Sequence, residues 1–295
     1  MLIIIKERYK YIKTLIFGSR LSVYLYILHI VYGVIFKFIN FIKKEKIKKN
    51  DTHEYLDKFN ENGYVKIENS VSQALMDSIY NQYKKLITNE NYLSKSSAKN
   101  IFRINECLIR IPDLKKILDE KIIKEFLLNY FKGDYKIYYC DAHRLFNEKN
   151  NKEKMENSSL EWHFDNLPKD LIKLMVYLVD VNKKNAAISL LDKKISTQLK
   201  IDGYWDRKSE FGKYLLEKYD VNNKSKYIEG QSGSSVFFST HYCLHRANKP
   251  TTHDVFRDAI VFLIGPSIKK FKSESNILHD RVISNSEELK INPFF

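Results

Sequence analysis

Cysteine, glycine and proline are all scarce in this 295-residue chain, at three, nine and five residues. Cys107, Cys140 and Cys243 form no CxxC pair and cannot make a disulfide framework, so a reducing compartment is expected. So little glycine and proline excludes collagen-like and Pro/Gly-rich disordered classes. No GxGxxG, no P-loop pattern and no internal repeat is present. An apolar share of 44% is ordinary for a globular protein and excludes a polytopic membrane protein. The length suffices for one large domain or two small ones with a substantial core.

Acidic charge is also short. Asp and Glu number 36 against 50 Lys and Arg, a net charge of +14. Residues 1–50 carry eleven basic side chains and two Glu, and so +9 of that excess. A nucleic-acid protein would spread its cations over one binding face, and no nucleic-acid partner is expected. Here they bracket the apolar run Leu21–Ile42, LSVYLYILHIVYGVIFKFINFI. As a helix this run is roughly 33 Å long, about one hydrocarbon core. Its His29, Lys37, Asn40 and three Tyr make a poor spanning segment and fit an interfacial helix equally. Residues 1–50 are therefore an N-terminal helical segment and candidate membrane anchor, on a cytoplasmic protein associated with the cytoplasmic face. The bland alternative is an apolar helix docked on the domain that occupies 51–295.

Lys43–Thr52 reads as a solvated linker. After it, Tyr55–Phe59 is helical, residues 60–63 have turn chemistry, and Tyr64–Ile67 is a short strand. Ser70 and Gln73 suggest a capping box ahead of a helix carrying Leu75, Ile79, Tyr83 and Leu86 on one face. A second helix is expected from Pro112 to about Tyr130, stopped by Gly133. Beyond it, residues 135–146, 171–181, 186–191, 234–239 and 258–264 are short, β-branched or aromatic, and turn-bounded. Helices followed by strands predict an α+β fold with a double-stranded β-helix (jelly-roll, cupin-like) core, flanking helices and an N-terminal apolar helix.

Trp162-His163-Phe164-Asp165 carries the first chemical signal. One residue apart in an extended chain, His163 and Asp165 point to the same side and can reach one metal ion. His245 follows about 80 residues later, just past the strand-like Val236–Phe238. Two imidazoles and one carboxylate on one face leave three metal positions open, the ligand set of non-haem Fe(II) oxygenases. Arg257 leads into the next strand, where a guanidinium can grip a co-substrate carboxylate. His241 competes with His245, and His241-x-x-x-His245 is also helical zinc spacing. The strand-like Val236-Phe237-Phe238 and the spacing to Arg257 favour His245. Arg144 is a weaker candidate for facing the co-substrate, and Arg246 for an ion pair beside the ligand.

The order of these residues resembles the phytanoyl-CoA dioxygenase family of Fe(II)/2-oxoglutarate oxygenases over roughly residues 55–266. FNENGYVKIENSVSQALMDSIY (59–80), KLMVYLVDV (173–181) and SGSSVFFSTHYCLHRANKP (232–250) carry the resemblance. It implies a jelly-roll dioxygenase in which His163, Asp165 and His245 hold Fe(II) and Arg257 holds the distal carboxylate of 2-oxoglutarate. It further implies O₂ as co-substrate and hydroxylation of an unactivated C–H bond in a small-molecule, lipid or lipid-linked saccharide substrate. Departures are visible at Asn185-Ala186-Ala187, where family members often have a Gly-Pro or Gly-Ala turn, and at Ala259, where some relatives have Ser. The alternative class is a non-catalytic jelly-roll binding or adaptor protein tethered at a membrane.

Overall fold

A computed structural model describes residues 20–43, 52–94, 100–147, 158–165, 167–204 and 207–272. Residues 1–19, most of the expected linker and His279 lie outside the described residues. The apolar run is one helix, α1 (Arg20–Lys43). Its buried His29, Tyr32 and Phe36 recur at three- and four-residue intervals and seat one face on the domain. Among the described residues, no helix is long and apolar enough to cross a membrane.

Helix α2 (His53–Asn62) absorbs most of the expected turn. Gly63 ends it with φ 80°, its N–H donating to the Phe59 carbonyl at 2.7 Å. A Cβ at Gly63 would also strike the Cys243 sulfur, so glycine is required there twice over. Strand β1 (Tyr64–Ile67) follows, then helix α3 (Gln73–Ile87). The capping box does not form. Ser70 instead donates to the Gly233 carbonyl at 2.9 Å, and the Ser72 amide and hydroxyl both bind the Glu120 carboxylate. A distant acid caps this helix where the local pattern suggested Gln73.

After β2 (Ile101–Arg103) and the single turn α4 (Cys107–Arg110), the expected long helix is broken. Pro112–Asp119 is a 3-10 stretch; Glu120, held by Ser72, turns extended (ψ 129°); α5 (Lys121–Phe131) then begins. Lys132, with φ 55°, takes the left-handed stop that the sequence assigned to Gly133. The remaining elements are β3 (Tyr135–Phe146), β4 (Ile172–Tyr177), β5 (Ile188–Leu190), α6 (Lys193–Ile201), α7 (Glu210–Lys218) and α8 (Val221–Lys224). Four strands close the described chain: β6 (Lys226–Ile228), β7 (Ser235–Phe238), β8 (His245–Arg246) and β9 (Phe256–Pro266).

These strands form two antiparallel sheets, ordered β1-β7-β4-β9-β3-β2 and β6-β5-β8. Every segment expected as a strand lies in one of them. The period of two sorts their side chains between two cores. Ile172, Leu174, Val176, Phe237, Ile260 and Phe262 face the helices, packing with Ile79, Tyr83, Phe126 and Leu127. Met175, Tyr177, Val236, Phe238, Ala259 and Val261 face the smaller sheet and pack with Ile188, Leu190 and Ile228. Lys173 and Arg257 have the same parity as this second set. Two cations are thus directed into the space between the sheets, where an apolar residue would be the default.

Candidate metal centre

His163 and His245 face each other across an isolated antiparallel bridge. The His163 amide donates to the His245 carbonyl at 3.0 Å, and the His245 amide returns the bond at 3.1 Å. The extended segment continues to Asp165, whose amide reaches the Thr240 carbonyl at 3.3 Å. Buried Trp162 fixes the start of the segment. Its indole donates to Asn222 at 3.1 Å, and its carbonyl accepts from the Tyr204 hydroxyl at 2.8 Å. Two sequence-distant stretches are therefore locked side by side by backbone bonds, and both imidazoles and the carboxylate converge.

One ligand atom from each of His163, Asp165 and His245 lies within 4.8 Å of the others. Among the described residues no other such cluster occurs, and His241 is not part of it. His241 instead contacts the Leu167 carbonyl through Nδ1 at 3.3 Å. Each imidazole of the cluster holds a backbone carbonyl through Nδ1: Glu161 at 2.7 Å for His163, Cys243 at 3.1 Å for His245. A carbonyl accepts only, so Nδ1 carries the proton and Nε2 presents its lone pair. The His245 Nε2 is buried with no hydrogen-bond partner, an arrangement that costs stability unless a ligand is meant to fill it. Burial keeps both imidazoles neutral, depressing His163 and taking His245 down to about 3, with the neighbouring imidazole adding to the latter shift. A divalent cation needs neutral imidazoles and an ionised carboxylate, and this donor set fits one.

The carboxylate is ionised for a different reason. Burial works to raise the Asp165 pKa, but the Lys173 ammonium, 2.7 Å from Oδ2, overcomes it and holds the group below the usual carboxylate range. Burial opposes the Lys173 charge in turn, and Asp165 restores it. Sequence reasoning missed Lys173. Its signal was available, since a lysine in the apolar strand KLMVYLVDV is charge placed where β4 has buried neighbours on both sides.

Arg257 is only 2% exposed and points between the sheets. Its Nη1 donates to the Ala186 carbonyl at 2.7 Å, while Nε has no partner. No carboxylate among the described residues lies within ion-pair distance of it. A buried guanidinium left this way is poised for an anion from outside the chain. Ala186 itself has φ 74°, a left-handed backbone ordinarily given to glycine, at the position where the sequence departed from the Gly-containing turn. The strained turn directs its carbonyl onto Arg257.

Side-chain directions correct the expectations for Arg144 and Arg246. Arg144 has the opposite parity on β3; it pairs with Asp258 at 2.8 and 2.7 Å on the helix side, and so does not face a co-substrate. Arg246 stacks over the Trp162 ring at 4.6 Å where an ion pair was expected. On β3, half-buried Asp141 pairs with Arg103 and with the buried His143, at 3.2 Å each. Cys243 is buried and donates to the Asn62 carbonyl; burial pushes its thiol pKa far up, which suits a packing residue and not a ligand.

No family model matches the sequence, and no curated protein matches it either. Solved structures do match. HygX from Streptomyces hygroscopicus, solved with nickel, 2-oxoglutarate and hygromycin B, superposes with TM-score 0.51 at 12% identity, over 74% of this chain and 89% of that one. EctD from S. alaskensis with bound Fe gives TM-score 0.52 at 12% identity, over 77% and 81%. The epimerase SnoN, in complex with Fe³⁺, alpha ketoglutarate and nogalamycin RO, gives 0.52 at 9% identity, over 74% and 85%. At such identities the likeness speaks to the fold. The chain shares the α+β jelly-roll fold of these metal-bound structures.

Proposed function

We propose that this chain is a non-haem Fe(II) enzyme that uses 2-oxoglutarate and O₂ to hydroxylate an unactivated C–H bond of a small molecule. One observation carries the reading: two neutral imidazoles and an ionised carboxylate, from stretches about 80 residues apart, gather within 4.8 Å, and the buried His245 Nε2 has no hydrogen-bond partner. His163, Asp165 and His245 would hold the metal. When bound, ferrous iron with 2-oxoglutarate supplies an oxidative decarboxylation coupled to O₂ reduction, the source of oxidising power for the C–H bond. The chain supplies position and environment. Glu161 and Cys243 fix both ring tautomers through their carbonyls, and Lys173 keeps Asp165 ionised. The Arg257 guanidinium would take the distal carboxylate of the co-substrate, with the Ala186 carbonyl fixing one edge of its fork. The fold buries His245 and Arg257, while His163 and Asp165 stay partly open to solvent. Asp165 also favours hydroxylation, since related halogenases lack this carboxylate and leave room for chloride.

Substrate chemistry is set outside these residues, and lipid or lipid-linked saccharide substrates remain within the proposal. The rival reading, a non-catalytic jelly-roll adaptor, predicts a different spectrum. Under anaerobic conditions, Fe(II) plus 2-oxoglutarate should give the weak visible charge-transfer band of a chelated complex. His163→Ala should abolish that band, and Arg257→Met should weaken 2-oxoglutarate binding by about 100-fold, the order expected when a buried charge loses its partner. A wild-type chain that gives no band refutes the oxygenase reading.

A further inference from the structure

We propose that the outer face of α1 is a docking surface for an anionic lipid bilayer, on which the domain lies without crossing it. The helix is apolar on two sides. Its inner face is seated on the domain: Tyr32 is 2% exposed and its hydroxyl accepts the Ile268 amide at 2.8 Å, while Asn40 donates to the Lys132 carbonyl at 3.0 Å. Gly133 permits this close seat, because a Cβ there would meet Phe36 at 2.9 Å and collide with Asn40. The seated positions run from His29 to Asn40, so the axis lies along the domain and does not project from it.

The outer face carries Ile27, Ile30, Val31, Val34, Ile35 and Phe38, all exposed, with Val34 at 64% and Phe38 at 63%. At 100° per residue these six share one arc about 140° wide, opposite the buried stripe. Single exposed apolar residues are ordinary, but a continuous stripe of six marks a surface that another phase covers. Lys37, exposed, sits at its margin.

Charge identifies the occupant. No Asp or Glu occurs between Glu7 and Glu45, and residues 1–50 hold +9. A second copy of this chain would bring two such segments together and repel. An anionic bilayer accepts both parts: its acyl chains take the apolar arc, and its phosphates attract the segment's excess positive charge. The inference needs no iron and stands apart from the oxygenase reading.

The test uses the full chain with vesicles of mixed phosphatidylcholine and phosphatidylglycerol, and of phosphatidylcholine alone. Co-sedimentation with the anionic vesicles is expected, weakening with salt and with loss of the anionic lipid. The double variant Val34→Asp, Phe38→Asp should lower the partition coefficient at least about 10-fold while melting like the wild type, since both positions are exposed. As a second readout, a polarity-sensitive dye on Val34→Cys should shift blue on anionic vesicles; the native Cys107, Cys140 and Cys243 are buried. Absence of vesicle binding at low salt, an unshifted dye, or equal binding by the double variant overturns the proposal. So does light scattering that shows a dimer which the double variant dissolves, because a second copy would then cover the face.

Discussion

At the scale of single residues, Lys173 decides the most. It balances Asp165 across 2.7 Å in the space where two imidazoles also point. Removing one partner of a buried ion pair leaves an uncompensated charge, and the cost is about 3–5 kcal/mol. Lys173→Met should therefore lower the melting temperature of the metal-free protein sharply. Ni(II) should restore more of it than in the wild type, because the cation then supplies the missing positive charge; melts with and without Ni(II) check this. His241 offers a test of the opposite kind. Burial first, and nearby Lys200 second, push its pKa down to about 4. The unfolded chain takes up that proton near the ordinary histidine value of about 6.5. The stability His241 contributes is then complete above that pH and is lost as pH falls toward 4. Melting temperature should decline over this window, and His241→Gln should flatten part of the decline.

At the scale of elements, strand parity is the controlling rule. One residue of register separates Arg144, paired outward with Asp258, from Leu145 and His143, which face inward beside Arg257 and Ala259. The turn before β5 is the other informative element. Ala186 holds φ 74°, where an L-residue costs roughly 1–2 kcal/mol that glycine does not incur. Part of that gain is offset by the greater freedom of glycine in the unfolded chain, about 0.4–1 kcal/mol. Ala186→Gly should accordingly raise the melting temperature slightly and leave 2-oxoglutarate affinity unchanged, since its carbonyl still meets Arg257. A large loss of affinity would show that the Ala186 methyl group helps shape the proposed co-substrate pocket.

At the scale of the whole molecule, α1 belongs to the domain as much as to any partner. His29, Tyr32 and Phe36 are buried against it, and the Tyr32 hydroxyl takes the Ile268 amide just past β9. A chain beginning at Asp51 would expose the apolar seat that Tyr32 and Phe36 cover. Burying two such rings contributes about 3–6 kcal/mol, so the shortened chain should melt well below the full one by calorimetry. If both melt alike, the helix is only loosely attached.

The sequence by itself determined six of the nine described strands and the spacing of His163, Asp165, His245 and Arg257, because period-two patterning and short motifs are local; the short β2, β6 and β8 were not expected. It also contained the apolar helix and its basic flanks. Only the tertiary structure decided which imidazole completes the cluster, since His241 and His245 lie on one short stretch whose direction is set by the bridge to His163 and the pairing with β5. The Glu120 cap on Ser72 and the outward turn of Arg144 were likewise invisible, depending on partners 48 and 114 residues away, whereas Lys173 was legible as a charge in an apolar strand and only its pairing with Asp165 needed the fold. Long-range hydrogen bonds and ion pairs are closed by the fold, and no local pattern encodes their far end.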